Sequence, residues 1–383
     1  MGQVQESSHK ARRLAEVGGL FLKLGTISVG GPAAHIALME EETVERRRWL
    51  TREQFLDMVA AVNLVPGPNA AEMAIWLGHM RAGWAGFLVG GAAFILPAAF
   101  LSALFAWAYQ RYGALPELQQ VFALGIHPAV LGVILAAAMR LGKAALTHWW
   151  WGLWTAGALA LSLVGADPVW ILLGAGAAAL LWRWFPRGAG GLLAVGVLPG
   201  MTASTAAGGP DVGSVALFFL KVGALLFGSG MMLYAFIERE VVTLGWLTQD
   251  QLIDAVAVGQ MTPGPVLSSA TFIGWLLAGP GGAAVATAAI FLPSFVIVAV
   301  LSPSLPRIRR WPWAREFLAG VSAAVVGVIA AVAVRLAWGM HWDVGTGILF
   351  PVGLGLLLFG RWPAWAVVLA GAMVGAVRYL AGG

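Results

Sequence analysis

Asn63-Leu64-Val65-Pro66-Gly67-Pro68-Asn69 interrupts an otherwise apolar run of helical length. Each proline removes a backbone donor, and the glycine between them tolerates dihedrals that other residues avoid, so a continuous helix does not pass through this stretch. The same device returns as Gln260-Met261-Thr262-Pro263-Gly264-Pro265. Around it the chain repeats itself. Phe21-Leu22-Lys23-Leu24-Gly25 corresponds to Phe219-Leu220-Lys221-Val222-Gly223, Gly30 to Gly228, and Glu40 and Glu42 to Glu238 and Glu240. Trp49-Leu50-Thr51 recurs as Trp246-Leu247-Thr248, Asp57 as Asp254, and Pro97 as Pro293. The offset drifts only from 198 (Phe21 to Phe219) to 195 (Arg140 to Arg335), which is the mark of a duplicated unit.

Composition says what surrounds this duplication. Of 383 residues, 60% are hydrophobic and 11% charged, with a mean hydropathy of +0.82. Soluble domains carry about 25% charged residues. The apolar excess implies an all-α polytopic protein of the cell membrane, with membrane lipid as its solvent. Net charge is +5, but the basic residues fall in short clusters between apolar segments, such as Arg46 to Arg48 and Arg307 to Arg310. Such clusters read as topogenic and headgroup-contacting groups, and no nucleic-acid partner is expected. Nineteen tryptophans, many near segment ends, fit interfacial belts. The chain has no cysteine, no metal-ligand spacing and no phosphate-binding loop, so no cofactor, metal or enzymatic chemistry is expected. A cleaved signal peptide is not indicated.

In order, residues 1 to about 15 read as a tail or a short interfacial helix. Apolar segments follow near Val17–Met39, Phe55–His79, Trp84–Tyr109, Leu118–Met139, Trp149–Val164 and Pro168–Trp184. The second half supplies Val215–Phe236, Ile253–Leu277, Gly281–Val300, Phe317–Leu336, Gly345–Phe359 and Ala364–Tyr379. This gives a first repeat over 1–185, a Gly/Ala/Thr-rich linker over 186–213 and a second repeat over 214–383, with some 10–12 hydrophobic segments in all. Parallel and inverted arrangements of the halves both remain open. Small residues between Ala156 and Ala179 permit close helix packing, and a homodimer is compatible with them. Thr51 with Gln54 reads as a helix cap, and Asp57 and Asp254 as first-turn acids of the broken helices.

Paired Gly/Pro-broken segments in corresponding places are the sequence pointer to a secondary-transporter site. A helix start presents unpaired N–H groups and the positive end of its dipole, and so attracts a small anion. Candidate binding residues are therefore Ser28, Gly30, Gly31, Asn63, Gly67 and Asn69 in the first half, with Gly228, Gln260, Gly264 and Ser268 in the second. Pro32, Pro66, Pro68, Pro263 and Pro265 make the breaks. Lys23 and Lys221 lie within apolar runs, where a charge is costly; binding an anion and snorkelling to headgroups are both readings of them. Glu72 follows the first Pro-Gly-Pro where the second half has Ser269. An acid this deep suggests a proton-coupling group, partnered by Lys23, His35 or His79. His35 is a second proton-carrier candidate, and Glu40 and Glu238 are candidate gate residues pairing with neighbouring arginines.

The pattern Leu24-Gly25-x-x-Ser28-x-Gly30-Gly31-Pro32-x-x-His35, followed by Asn63 through Glu72, resembles the chromate transporter family in its long, two-domain form. The resemblance covers nearly the whole chain. It implies a membrane carrier that exports chromate or a sulfate-like tetrahedral oxyanion from the cytoplasm, coupled to protons or to the membrane potential. Val29 stands where the family often has an aromatic residue, and the second half carries Gly228-Ser229-Gly230 in place of Gly-Gly-Pro.

Overall fold

The computed structural model describes residues 2–184, 210–227, 229–301 and 312–381, and every regular element among them is helical. Helix α1 (Gly2–Ile27) takes in the polar amino-terminal stretch, which is continuous with the first apolar segment rather than a separate element. The glycine-rich break then separates α1 from α2 (Pro32–Glu40), which starts with proline at a position whose N–H would have no helical partner anyway. A π turn, Glu41–Arg46, extends α2. Helix α3 (Arg52–Val62) opens on the capping box of Thr51 and Gln54 that the sequence announces. It ends at the first Pro-Gly-Pro loop.

Helix α4 (Asn69–Tyr112) is two limbs rather than one rod. Ala82 (φ −136°, ψ 20°) and Gly83 (φ 63°, ψ −151°) leave helical geometry. A Cβ on Gly78 would overlap the carbonyl oxygen of Gly86, and one on Gly86 would overlap that of Gly78. The chain therefore doubles back, and glycines let the limbs touch backbone to backbone. The short limb, Asn69 to Arg81, is about 20 Å long at ~1.5 Å per residue. A membrane hydrocarbon layer is ~30 Å thick, so this limb alone is too short to cross it.

The order continues through α5 (Pro116–Val121) with a π turn at Phe122–Ile126, α6 (His127–Ala145), α7 (Trp149–Leu163) and α8 (Pro168–Trp184). The second repeat supplies α9 (Val212–Leu225), α10 (Met232–Phe236) with a π turn at Ile237–Val242, and α11 (Gln249–Met261). After the second Pro-Gly-Pro and a single 3-10 turn (Val266–Ser268) comes α12 (Ser269–Leu301), broken at Ala278 and Gly279 as α4 is broken at Ala82 and Gly83. Helices α13 (Pro312–Gly339), α14 (Val344–Leu358) and α15 (Ala364–Leu380) complete the chain. The expected single segment Val215–Phe236 is two helices, because Leu226 leaves helical geometry (ψ 90°). The first-turn acids are Glu53 and Asp250, not Asp57 and Asp254, because α3 and α11 begin five residues before those aspartates.

Two compact units emerge, each drawing on both repeats. The first comprises residues 1–114, 211–226 and 258–309. Here α1 lies on the long limb of α4, with Gly25 so close that a Cβ would sit 2.5 Å from the Phe94 carbonyl oxygen; α9 lies on α12 in the same way, through Gly223 and Ile290. The long limbs of α4 and α12 pack on each other through Phe87 and Phe295, whose rings are 5.4 Å apart. The second unit comprises residues 115–210, 227–257 and 310–383. There α13 packs on α6, α7 and α8, α14 on α6, and α15 on the π turn before α6. The small residues of α7 and α8 are used within the chain: Gly327 meets Thr155 and Ala158, and Gly320 meets Ala175 and Ala179.

Four helical stretches, Asn69–Tyr112, Pro116–Ala145, Val266–Val300 and Arg315–Gly339, are long and apolar enough to cross a membrane. Their outer faces suit lipid. Along α4, Leu88, Leu96, Phe100 and Leu104 stand exposed at four- and eight-residue spacing, Phe100 by 70%; Leu292, Val296 and Val300 do the same on α12. The chain is a multi-pass membrane protein with two repeated halves.

Candidate functional site

Both Pro-Gly-Pro loops belong to the first unit. Gly67 (φ 145°) and Gly264 (φ 91°) take backbone angles that side chains rarely adopt, which is why each proline pair encloses a glycine. The freed N–H groups do not stay idle. Gly67 N–H donates to the Leu226 carbonyl at 2.7 Å, and Gly264 N–H donates to the Ser28 carbonyl at 2.8 Å. Each loop is thus tied to the end of the first helix of the opposite repeat, as a two-fold exchange. The glycines also lie against the opposite long limb, Gly67 beside Ser294 and Gly264 beside Ala98. Those two positions correspond in the repeat, so the first loop faces a hydroxyl where the second faces a methyl.

Glu72 sits one turn into the short limb of α4 and is completely buried. Its carboxyl folds back over Gly67, where a Cβ would overlap Oε1. Neither carboxyl oxygen has a hydrogen-bond partner among the described residues. Ser294 Oγ, 3.1 Å from the same Cβ position, also lacks one, as do Ser28 Oγ and Gln260 Nε2. Buried polar groups are normally hydrogen-bonded, and leaving one unpaired costs about 1–3 kcal/mol. Glu72 and Ser294 therefore leave unpartnered polar atoms beside the first loop, while Ser28 follows α1 and Gln260 closes α11 just before the second. The sequence pointed to Ser28, Glu72 and Gln260 here; Ser294 it missed, since only the fold brings that serine to Gly67.

Two of the expected partners of Glu72, Lys23 and His35, bond elsewhere. Lys23 Nζ is 2.7 Å from Glu42 Oε1, and Glu42 also takes Arg46 and Arg47 at 3.2 Å each. Lys23 and then Arg47 hold the Glu42 carboxyl below its ordinary range. His35, buried against the edge of Phe94, places Nε2 3.3 Å from the Ser28 carbonyl, the same oxygen that accepts from Gly264. His79 meets Trp84 at a tilt and Phe87 edge-on, and its buried Nδ1 has no hydrogen-bond partner among the described residues.

Other residues take lesser positions. Asn69 Nδ2 donates to Asn63 Oδ1, closing the first loop on itself. Ser268 Oγ accepts from Ser102 Oγ at 3.2 Å, within a buried pair. Gly30 (φ 142°) turns the chain into Gly31, which caps α2. Glu40 pairs with Arg52 at 3.1 Å, and Glu238 with Arg335 at 2.6 Å in the second unit. Lys221 is half-buried on α9, in the turn before Leu225. Gly228 and most of the linker fall outside the described residues. No metal-binding group of acids and histidines occurs among the described residues.

Comparison with known proteins shows which family the chain resembles. The family model described as chromate transporter matches residues 15–180 and again 213–376, once per repeat. The chain is 34% identical over 368 residues to the chromate transport protein of Cupriavidus metallidurans, covering 94% of this chain and 92% of that one. It is 33% identical to a probable chromate transport protein of Synechococcus elongatus, covering 92% and 91%. A chromate transport protein of Pseudomonas aeruginosa is 31% identical over 83% of this chain and 79% of its own. No solved structure matches. With both repeats matched and relatives aligned over nearly full length, the chain belongs to the chromate transporter family.

Proposed function

We propose that this protein is a secondary carrier moving a tetrahedral oxyanion of the chromate and sulfate type out of the cytoplasm, with Glu72 carrying the coupled proton. The observation that carries this reading is the set of buried, unpartnered groups at and beside the loops: Ser28 Oγ, Glu72 Oε1 and Oε2, Ser294 Oγ and Gln260 Nε2. Hydroxyls, an amide N–H₂ and the N-terminus of the α4 short limb supply donors to an oxyanion. The buried Glu72 carboxyl beside the first loop links that anion to a proton, because two unscreened negative charges close together repel strongly. Chromate takes precedence over sulfate because the similar proteins of known name are called chromate transport proteins.

Purified protein in liposomes, with labelled chromate and sulfate under imposed pH and potential gradients, tests this. Chromate should move, and sulfate should compete. Failure of both anions to move under any gradient overturns the reading. Ser294→Ala should raise the KM for the anion roughly tenfold, the equivalent of one hydrogen bond to a charged group at ~1.4 kcal/mol.

A further inference from the structure

The second unit contains a titratable cluster that the loops do not use. His127 and Asp254 are both buried, and His127 Nε2 lies 3.1 Å from Asp254 Oδ1. The other ring nitrogen, Nδ1, points to Asp250 Oδ1 at 3.8 Å. Asp250 and Asp254 are four residues apart on α11 and so share one helix face. Their side chains differ sharply in access: Asp250 is 74% exposed, Asp254 6% and the imidazole between them 8%. One ring therefore joins a carboxylate in solvent to a carboxylate in the interior.

The backbone holds this arrangement in place. The π turn Phe122–Ile126 precedes His127, and Pro128 follows it, so the histidine stands at the junction of two helical geometries. Gly125 in that turn lies so close to α15 that a Cβ would overlap the Gly371 carbonyl oxygen. Helix α11 does not need Asp254 as a cap, since Thr248 and Gln251 exchange bonds of 2.9 and 3.2 Å at its start. Of the charged groups on the other elements packed against α6, Arg378 is taken by Asp343 at 2.6 Å and donates to Leu124 O. Arg335 is taken by Glu238, and Arg140, on α6 itself, donates to Leu357 O. The repeat offset places Ser322 opposite His127, so the histidine belongs to one half alone.

We infer that Asp250, His127 and Asp254 form a proton relay, a second proton site distinct from Glu72 that takes protons from water at Asp250 and stores them on the buried His127–Asp254 pair. Imidazole binds and passes protons through its two nitrogens, which is what a group between two carboxylates requires. The gap at Nδ1 exceeds hydrogen-bond length and is closed by a rotation of the exposed Asp250 or by one water. No bond other than N–H and O–H changes, and the proton leaves by the same path.

The test needs no substrate, so it stands apart from the transport reading. Deuterium exchange at the His127 ring C2–H, read by mass spectrometry on the full-length protein in detergent across pH 5–9, follows the charge of that histidine directly. The relay requires the pH dependence of that exchange to shift in Asp250→Asn. That variant changes an exposed residue and should fold. Asp254→Asn should move it further, and a folded Asp254→Glu should restore it. An exchange profile unchanged by Asp250→Asn overturns the proposal. In liposomes, His127→Gln should change the pH profile of whichever anion moves; an unchanged profile in this variant, shown to be folded, also overturns it.

Discussion

At the scale of single residues, two glycines beside the same kind of break behave oppositely. Gly67 has φ 145°, and any Cβ there overlaps the Glu72 carboxyl. Gly31 has φ −78° and nothing within 4 Å. Gly67→Ala should therefore abolish transport in liposomes, whereas Gly31→Ala should retain at least about half the rate, since it meets neither strain nor overlap. Glu72→Gln keeps the shape of the side chain and removes its proton. It should flatten the pH dependence of transport while changing anion affinity by less than about tenfold, because the donors to the anion remain. Asp343 shows the same accounting outside the membrane. The Thr346 backbone N–H first, and then Arg378, pull its carboxyl down to about 2 from 3.8. A depressed carboxylate contributes stability above its unfolded value and loses it as pH falls through the folded one. The difference in melting temperature between wild type and Asp343→Ala should be constant above pH ~4 and close between pH ~4 and ~2.

At the scale of elements, the hairpins made by α4 and α12 depend on glycine crossings. Gly78 meets Gly86, and Gly274 meets Gly282, backbone against backbone. Gly78→Ala and Gly274→Ala should each destabilise by about 1–3 kcal/mol through overpacking, whereas Gly157→Ala, with nothing within 4 Å, should be neutral or better. Thermal unfolding in detergent reads all three. The break between the apolar segments Phe55–His79 and Trp84–Tyr109 and the Thr51 cap were legible in sequence because they obey local rules of backbone and side-chain bonding. The π turns were not. Glu41–Arg46 and Ile237–Val242 carry ordinary helix-forming residues and occupy corresponding places in the repeat, so their extra residue per turn comes from packing rather than composition. Lys23 illustrates the same limit: its apolar run signalled a costly charge, but only the return of the π turn brings Glu42 to neutralise it.

At the scale of the molecule, duplication supplies two scaffolds and divergence gives them different work. The first loop has Glu72 and Ser294; the second has Ser269 and Ala98 at the matching places. Ser269 Oγ donates to the Val266 carbonyl at 2.9 Å within its own turn. Exchanging the pair, as Glu72→Ser with Ser269→Glu, should not restore pH-dependent transport, because the transplanted carboxyl finds neither the hydroxyl nor the empty space it left. The repeat itself was the most legible feature of the chain, since identical residues at a steady offset need no fold to be seen. What could not be read was which residues from distant positions converge. Ser294 and the His127–Asp254 pair lie 227 (294 − 67) and 127 (254 − 127) residues from the groups they face, and no local pattern encodes such distances.

The reciprocal bonds from Gly67 to Leu226 and from Gly264 to Ser28 also set a timetable for synthesis. When the first loop enters the bilayer, the carbonyl that completes it has not yet been translated. The nascent first half keeps this bond unmade until Leu226 emerges. The second loop meets no such delay, since Ser28 is already in place. Halves expressed as separate polypeptides should therefore reach the membrane individually and become competent only when coexpressed, each serving as the template on which the other finishes folding.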